Sequence, residues 1–214
     1  LNNKSGNFES LEVESSNNKN MKSLLVLILL TFFSLLGQAQ TKFESKSFQI
    51  DINGTSTMHN WASKATTVTM WGDFNLEANS LKGINSATVE IQTKSIKSNK
   101  QSSLMDGRTH STLKADKNPL IKFVLTKVQS IKQTAAEATI TLLGNLTIGG
   151  NTQATELTMK GKVLGNGELD FTGIKKLKMS TFGIKPPSFM LGALNVGDEV
   201  TVSYHITLKK TSQQ

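Results

Sequence analysis

Residues 199–209, EVTVSYHITLK, alternate without a break. Val200, Val202, Tyr204, Ile206 and Leu208 occupy one parity, and Thr201, Ser203, His205, Thr207 and Lys209 the other. Successive side chains of an extended chain point to opposite faces, so this pattern demands a strand with one dry face and one wet face. The same period recurs upstream, where Ala138, Ile140, Leu142, Leu146 and Ile148 alternate with Thr139, Thr141, Asn145 and Thr147, Leu143 alone being discordant. Shorter runs of the same kind fall at 48–52, 68–76, 87–91, 121–125, 157–163 and 169–179. Eight strands are expected.

The connectors are short and rich in turn formers, notably Gly149-Gly150-Asn151 and Gly165-Asn166-Gly167. Glycine and asparagine accept the positive φ of tight hairpins, so sequence neighbours should pair antiparallel as a meander. One segment resists the strand reading: SLMDGRTHSTLKADKNP, residues 103–119. Ser103 and Asp106 stand at capping-box spacing, Leu104, Met105, Thr109 and Leu113 share one modest apolar face, and Pro119 would end the element. A short helix is therefore expected between the third and fourth strands.

An all-β chain with one apolar face and a single helix must cover that face with itself. Closing eight antiparallel strands into a barrel buries the face and removes both edges, and a β-sandwich is the alternative. Alternation alone does not distinguish a lumen from a lipid-facing wall. Outer-membrane barrels carry aromatic girdles, however, and this chain has 6% aromatic residues and one tyrosine, which favours a soluble barrel.

Residues 21–39, with Lys22 ahead of an apolar stretch from Leu24 to Leu36 and Gly37-Gln38-Ala39 at its end, read as a cleaved secretion signal. Residues 1–20 lack apolar periodicity and read as an unstructured upstream extension, which leaves 40–214 as one barrel domain. The chain has no cysteine, so neither a disulfide scaffold nor a lipid-modified cysteine is expected, and the location implied is periplasmic or secreted. A net charge of +8 is spread over scattered lysines without interleaved aromatics. That argues against nucleic acid and leaves room for peripheral contact with an anionic membrane surface.

Catalytic material is sparse. His59, His110 and His205 are far apart in sequence, and no glycine-rich loop precedes a helix to hold phosphate, so neither metal nor cofactor is expected. His59 lies in GTSTMHNWAS (54–63) beside Trp61, where an indole-covered polar connection and a ligand contact are both open readings. The remaining oddity is FGIKPPSFMLG (182–192), two adjacent prolines among Phe182, Ile184, Phe189, Met190 and Leu191. Pro186 and Pro187 hold the chain stiff and unpaired, so these side chains need a dry place, the barrel mouth or the core beneath it. Six methionines, Met58, Met70, Met105, Met159, Met179 and Met190, suit an interior shaped for a flexible apolar guest, although methionine also fills ordinary cores.

In order along the chain, GTSTMHNW, SLMDGRTHSTLKADKNPLIKF, GNLTIGGNTQ, LKMSTFGIKPPSFMLG and GDEVTVSYHITL resemble the YceI-like family of exported, polyisoprenoid-binding, lipocalin-like proteins. The resemblance implies an eight-stranded antiparallel barrel whose lumen holds an isoprenoid chain or a quinone-type amphiphile, in a carrier or storage role, with no catalytic residue. It departs from the common pattern at His59-Asn60-Trp61, where many members have His-Ser and a second His on the next strand.

The expected lining is Met70, Phe74, Ile91, Phe123, Leu142, Met159, Phe171, Met179, Val202 and Tyr204, with Phe182, Phe189 and Met190 as a lid. His59, Trp61 and Lys185 are candidates for the mouth or a ligand headgroup. A structural or partner-binding barrel with a filled interior is the alternative function. An enzyme pairing His59 with Asp51 or Asp73 is the least favoured reading.

Overall fold

The computed structural model describes residues 41–77, 79–135 and 137–211; the upstream extension and the secretion signal read at 1–39 lie outside the described residues. Its strands are β1 (Thr41–Ser56), β2 (Trp61–Ala65), β3 (Val68–Glu77), β4 (Ser80–Gln92), β5 (Ile96–Ser98), β6 (Leu120–Gln133), β7 (Ala138–Ile148), β8 (Asn151–Val163), β9 (Leu169–Lys178), β10 (Ser188–Phe189) and β11 (Leu194–Lys210). Among the described residues one α-helix, α1 (Ser103–Thr112), sits between β5 and β6.

These eleven strands form eight staves. The β2–β5 pairing, ending at Ala65↔Ile96, prolongs the β3–β4 pairing that begins at Val68↔Ile91. Thr66 N–H donates to the Ser95 carbonyl at 3.1 Å and Gln92 N–H to the Thr67 carbonyl at 3.2 Å across the join. β2 with β3 is thus one interrupted stave, β4 with β5 another, and β10 a two-residue pairing on the start of β11. Every stave is antiparallel to its neighbours, and β11 closes on β1 from Phe43↔Lys210 to Ser56↔Val196. The result is a barrel and not a sandwich.

The inward parity matches the alternation in sequence. At one end Phe43, Phe74, Leu169 and Leu208 are fully buried and plug the barrel. Phe43 meets Phe74 edge-on at 5.5 Å between centroids, and Phe74 stacks on Phe171 at 5.8 Å. Each such side chain contributes about 1.5–3 kcal/mol on burial. Five inward positions are glycine, and each is covered by an aromatic ring: Gly54 by Trp61, Gly72 by Phe74, Gly144 by Phe123, Gly161 by Phe171 and Gly173 by Tyr204. A β-carbon at any of the five would overlap the ring, so the missing side chains let the rings lie along the curved wall.

The helix differs from expectation at both ends. Its N-cap is Ser102, whose Oγ accepts the Met105 N–H at 3.3 Å, and not Ser103. Asp106 caps nothing in α1; it accepts the Ser98 N–H at 2.6 Å and faces Lys97 at 3.5 Å, which ties the helix to β5. Lys114, at φ 52°, turns the chain away before Pro119, whose carbonyl accepts the Thr93 N–H at 2.8 Å. Thr93 Oγ1 donates to the Asn118 carbonyl at 2.8 Å, Asp116 pairs with Lys94 at 2.6 Å, and Ala115 is buried. The segment Leu113–Pro119 is therefore a clasp holding the helix exit over the barrel. Leu104, expected on the sheet-facing side of α1, is exposed.

Candidate functional site: the barrel lumen

Above the aromatic plug the lumen is hollow. A lower chamber of about 130 Å³ is bounded by Met70, Phe74, Ile91, Phe123, Leu142, Met159, Phe171 and Tyr204, and its surface is wholly apolar. An upper chamber of about 180 Å³ lies between Ile91, Met179, Phe182, Val202 and the underside of α1 at Thr109, Thr112 and Leu113. Ile91, Leu146 and Leu177 belong to both, so the two chambers adjoin end to end.

Burial along the inward parity separates plug from chamber. Toward the plug, Ile140, Leu142, Phe171, Ile206 and Leu208 are buried by one another. Toward the mouth, Ile52, Ile91, Leu146, Leu177, Val200 and Val202 keep the same parity and are only half-buried, because they face empty volume. A filled barrel would bury both sets, so the half-buried upper set favours a lumen with room for a guest over a packed interior.

Two polar side chains enter this apolar wall. The Tyr204 hydroxyl is buried against Gly173 without a hydrogen-bond partner, and burial pushes its pKa up to about 12. Lys175 is on the inward parity and contributes to the lower wall. Pairing of β8 with β9 stops at Met159↔Gly173 although both strands continue, so Lys175 sits where the wall parts. Its alkyl stem can line the chamber while the ammonium reaches water through that gap.

The mouth is closed by side chains from three places. Phe182 and Ile184, ahead of the proline pair, are 2% and 7% exposed. Asn151 Nδ2 donates to the Phe182 carbonyl at 2.8 Å, fastening this lid to the β7–β8 hairpin, whose tip uses positive φ at Gly149 and Gly150. Trp61 completes the closure: it borders the upper chamber on one side and two outer concavities on the other. One is a polar cleft of about 460 Å³ with His59, Asn60, Asn99, Lys100 and Glu199 on its walls. The other is a groove of about 280 Å³ between α1 and the segment after the prolines.

The remaining candidates fall outside the lumen. Phe189 lines the outer groove, where the Arg108 guanidinium stands 3.9 Å from its ring centroid. Met190 is exposed, and Lys185 is exposed and borders none of these cavities. Only the first half of the proline segment, Phe182 and Ile184, covers the mouth. Sequence reading missed Ile52, Ile96, Ile121, Ile148 and Val200 in the upper wall, although their inward parity was a usable signal.

His110 Nε2 lies 2.9 Å from the Ile96 carbonyl and His205 Nε2 lies 2.6 Å from Asp170, so each imidazole has a local partner. His59 makes no side-chain bond to Asp51 or Asp73, and Asp51 accepts from Gln49 Nε2 at 2.8 Å. Among the described residues no group of three His, Asp or Glu side chains converges to hold a metal ion.

Comparison with known proteins agrees with this geometry. A family model described as the YceI-like domain matches residues 36–208. Similar solved structures include Burkholderia cenocepacia BcnA, at 18% identity and TM-score 0.55 over 75% of this chain and 95% of that one. A polyisoprenoid binding domain from Saccharophagus degradans, implicated in plant cell wall breakdown, gives 9% identity and TM-score 0.60 over 80% and 99%. The YceI protein of Campylobacter jejuni gives 18% and 0.53 over 71% and 85%. At these identities the structural likeness concerns the fold alone. No curated protein matches the chain in sequence.

Proposed function

The chain belongs to the YceI-like family, and we propose on that premise that it binds a polyisoprenoid or similar long-chain amphiphile in the barrel lumen. The role is that of an exported carrier or store, periplasmic or secreted, with no catalytic step. The observation that carries this reading is the half-buried upper half of the inward parity. Ile52, Ile91, Leu146, Leu177, Val200 and Val202 present apolar surface to an empty chamber that a hydrocarbon chain would cover. Each methylene moved there from water contributes about 0.8 kcal/mol, so a chain of several isoprene units is held by its tail. The Saccharophagus degradans domain of the same fold is described as polyisoprenoid binding, which supports this ligand class.

The reading is tested by native mass spectrometry of protein purified without detergent from its own cells, followed by solvent extraction. Stoichiometric recovery of a long-chain lipid is expected. An empty protein that also fails to take up a prenyl alcohol offered in solution would overturn it.

A further inference from the structure

Among the described residues six large apolar side chains are exposed, and four of them, Met58, Leu104, Met190 and Leu191, gather at the mouth. Leu191 is 110% exposed, Met190 70%, Met58 64% and Leu104 64%. Three segments bring them together. Thr57 N–H donates to the Asn195 carbonyl at 2.9 Å and Thr57 Oγ1 to the Ala193 carbonyl at 3.0 Å, which sets Met58 beside the Met190–Leu191 tip. The groove shared by Leu104, Arg108 and Phe189 sets the start of α1 beside the same tip.

The tip is held outward against its own preference. Met190 and Leu191 have φ of 54° and 53°, a left-handed conformation that side chains of this size rarely adopt. Ala193 N–H donating to the Met190 carbonyl at 3.1 Å and Asn195 Nδ2 donating to the Gly192 carbonyl at 2.6 Å keep it there. Strained backbone that displays two apolar side chains to water points to an occupant for them.

Charge indicates which occupant. Lys100 and Arg108 border the groove and, among the described residues, neither makes an ion pair, the Arg108 guanidinium resting on the Phe189 ring. The nearby carboxylates are engaged elsewhere: Asp106 by Ser98 and Lys97, Asp198 by Ser180, and Glu199 by Lys176. Apolar tips beside cations that have no carboxylate partner match the acyl boundary and headgroups of an anionic bilayer.

We propose that the mouth face docks on an anionic lipid bilayer, Met58, Leu104, Met190 and Leu191 entering the acyl boundary while Lys100 and Arg108 meet lipid phosphates. The inference rests on the lumen as a lipid site, because docking there presents the Trp61–Phe182 closure to the source of the ligand.

Flotation of the full protein with vesicles tests it. Binding is expected to vesicles of mixed phosphatidylcholine and phosphatidylglycerol and weaker binding to pure phosphatidylcholine, with high salt removing the preference for the anionic mixture. Changing Met190→Ser together with Leu191→Ser should weaken binding roughly tenfold or more. Both side chains are exposed, and an unchanged thermal midpoint confirms folding. Arg108→Gln should lower the preference for the anionic mixture. Equal flotation of wild type and double variant would overturn the proposal. So would a wild-type dimer that the double variant dissolves, since the face would then belong to a second copy. Lipid carried in the lumen is measured separately by extraction: a loaded protein that ignores vesicles sinks the docking face alone, and an empty protein that floats sinks the lumen reading alone.

Discussion

The indole of Trp61 rests on Gly54, its cross-strand partner, and its Nε1–H donates to the Thr55 carbonyl at 3.1 Å. This contact makes the ring the partition between the upper chamber and the outer clefts. Gly54→Ala should displace the indole, at a cost of about 1–3 kcal/mol for overpacking. In a Trp71→Phe background Trp61 is the one remaining fluorophore of its kind. The variant should then show red-shifted emission and a lower denaturation midpoint; unchanged emission would separate the ring from the partition.

On the proposed function, the lower chamber would set how long a chain the lumen accepts. Ala87 is buried in its wall, so Ala87→Leu should fill part of the volume. The added methylenes should cost no more than about 1–3 kcal/mol, and lipids recovered by mass spectrometry should be shorter. Met159→Lys should abolish loading, with circular dichroism showing that the barrel persists. Full-length lipid in both variants would place the ligand elsewhere.

Tyr204 is the chain's single tyrosine, so tyrosinate absorbance reports this residue alone. Burial raises its folded-state pKa to about 12. The folded form thus keeps a proton that the unfolded chain releases near pH 10. This stabilisation is complete below about pH 10 and is lost at about 1.4 kcal/mol per pH unit as pH rises toward 12. Tyr204→Phe should remove that slope. It should cost little at neutral pH, since the hydroxyl has no partner to lose.

Asp106 answers to acid. Its own burial works to raise its pKa, but the Ser98 N–H and Lys97 outweigh that and hold it below the usual carboxylate value. A depressed folded pKa stabilises above the unfolded value, near pH 4, and that contribution disappears as pH falls through the folded value. Asp106→Ala leaves the buried Ser98 N–H unpaired, at about 1–3 kcal/mol. Hydrogen exchange should show α1 and β5 loosening in the variant at neutral pH, and in wild type only below about pH 4.

How much of this was legible follows from the kind of signal each feature carries. Val200 to Leu208 and Ala138 to Ile148 announced strands because a period of two is a local property. The helix cap was read one residue late, at Ser103, because adjacent serines look alike in sequence and only the folded backbone brings the Ser102 hydroxyl to Met105 N–H. The proline segment was read as one lid and is two structures. Phe182 enters the mouth through a short helical turn that ends at Gly183, φ 64°, while Met190 and Leu191 turn outward through left-handed backbone. Composition does not carry that reversal.

By itself the amino-acid sequence determined the long strands, their antiparallel order, the inward parity and the placing of one helix, because each follows from alternation and turn chemistry between neighbours; the short β2, β5 and β10 are too brief to show a period and were not read. The closure of β11 on β1, the plug of Phe43 and Phe74 and the empty volume above it were decided only in the tertiary structure. Whether an inward side chain meets another or meets space depends on rings laid over glycines of other strands, as Trp61 is on Gly54 and Tyr204 on Gly173. Residues distant along the chain set that distance, and no local pattern encodes it.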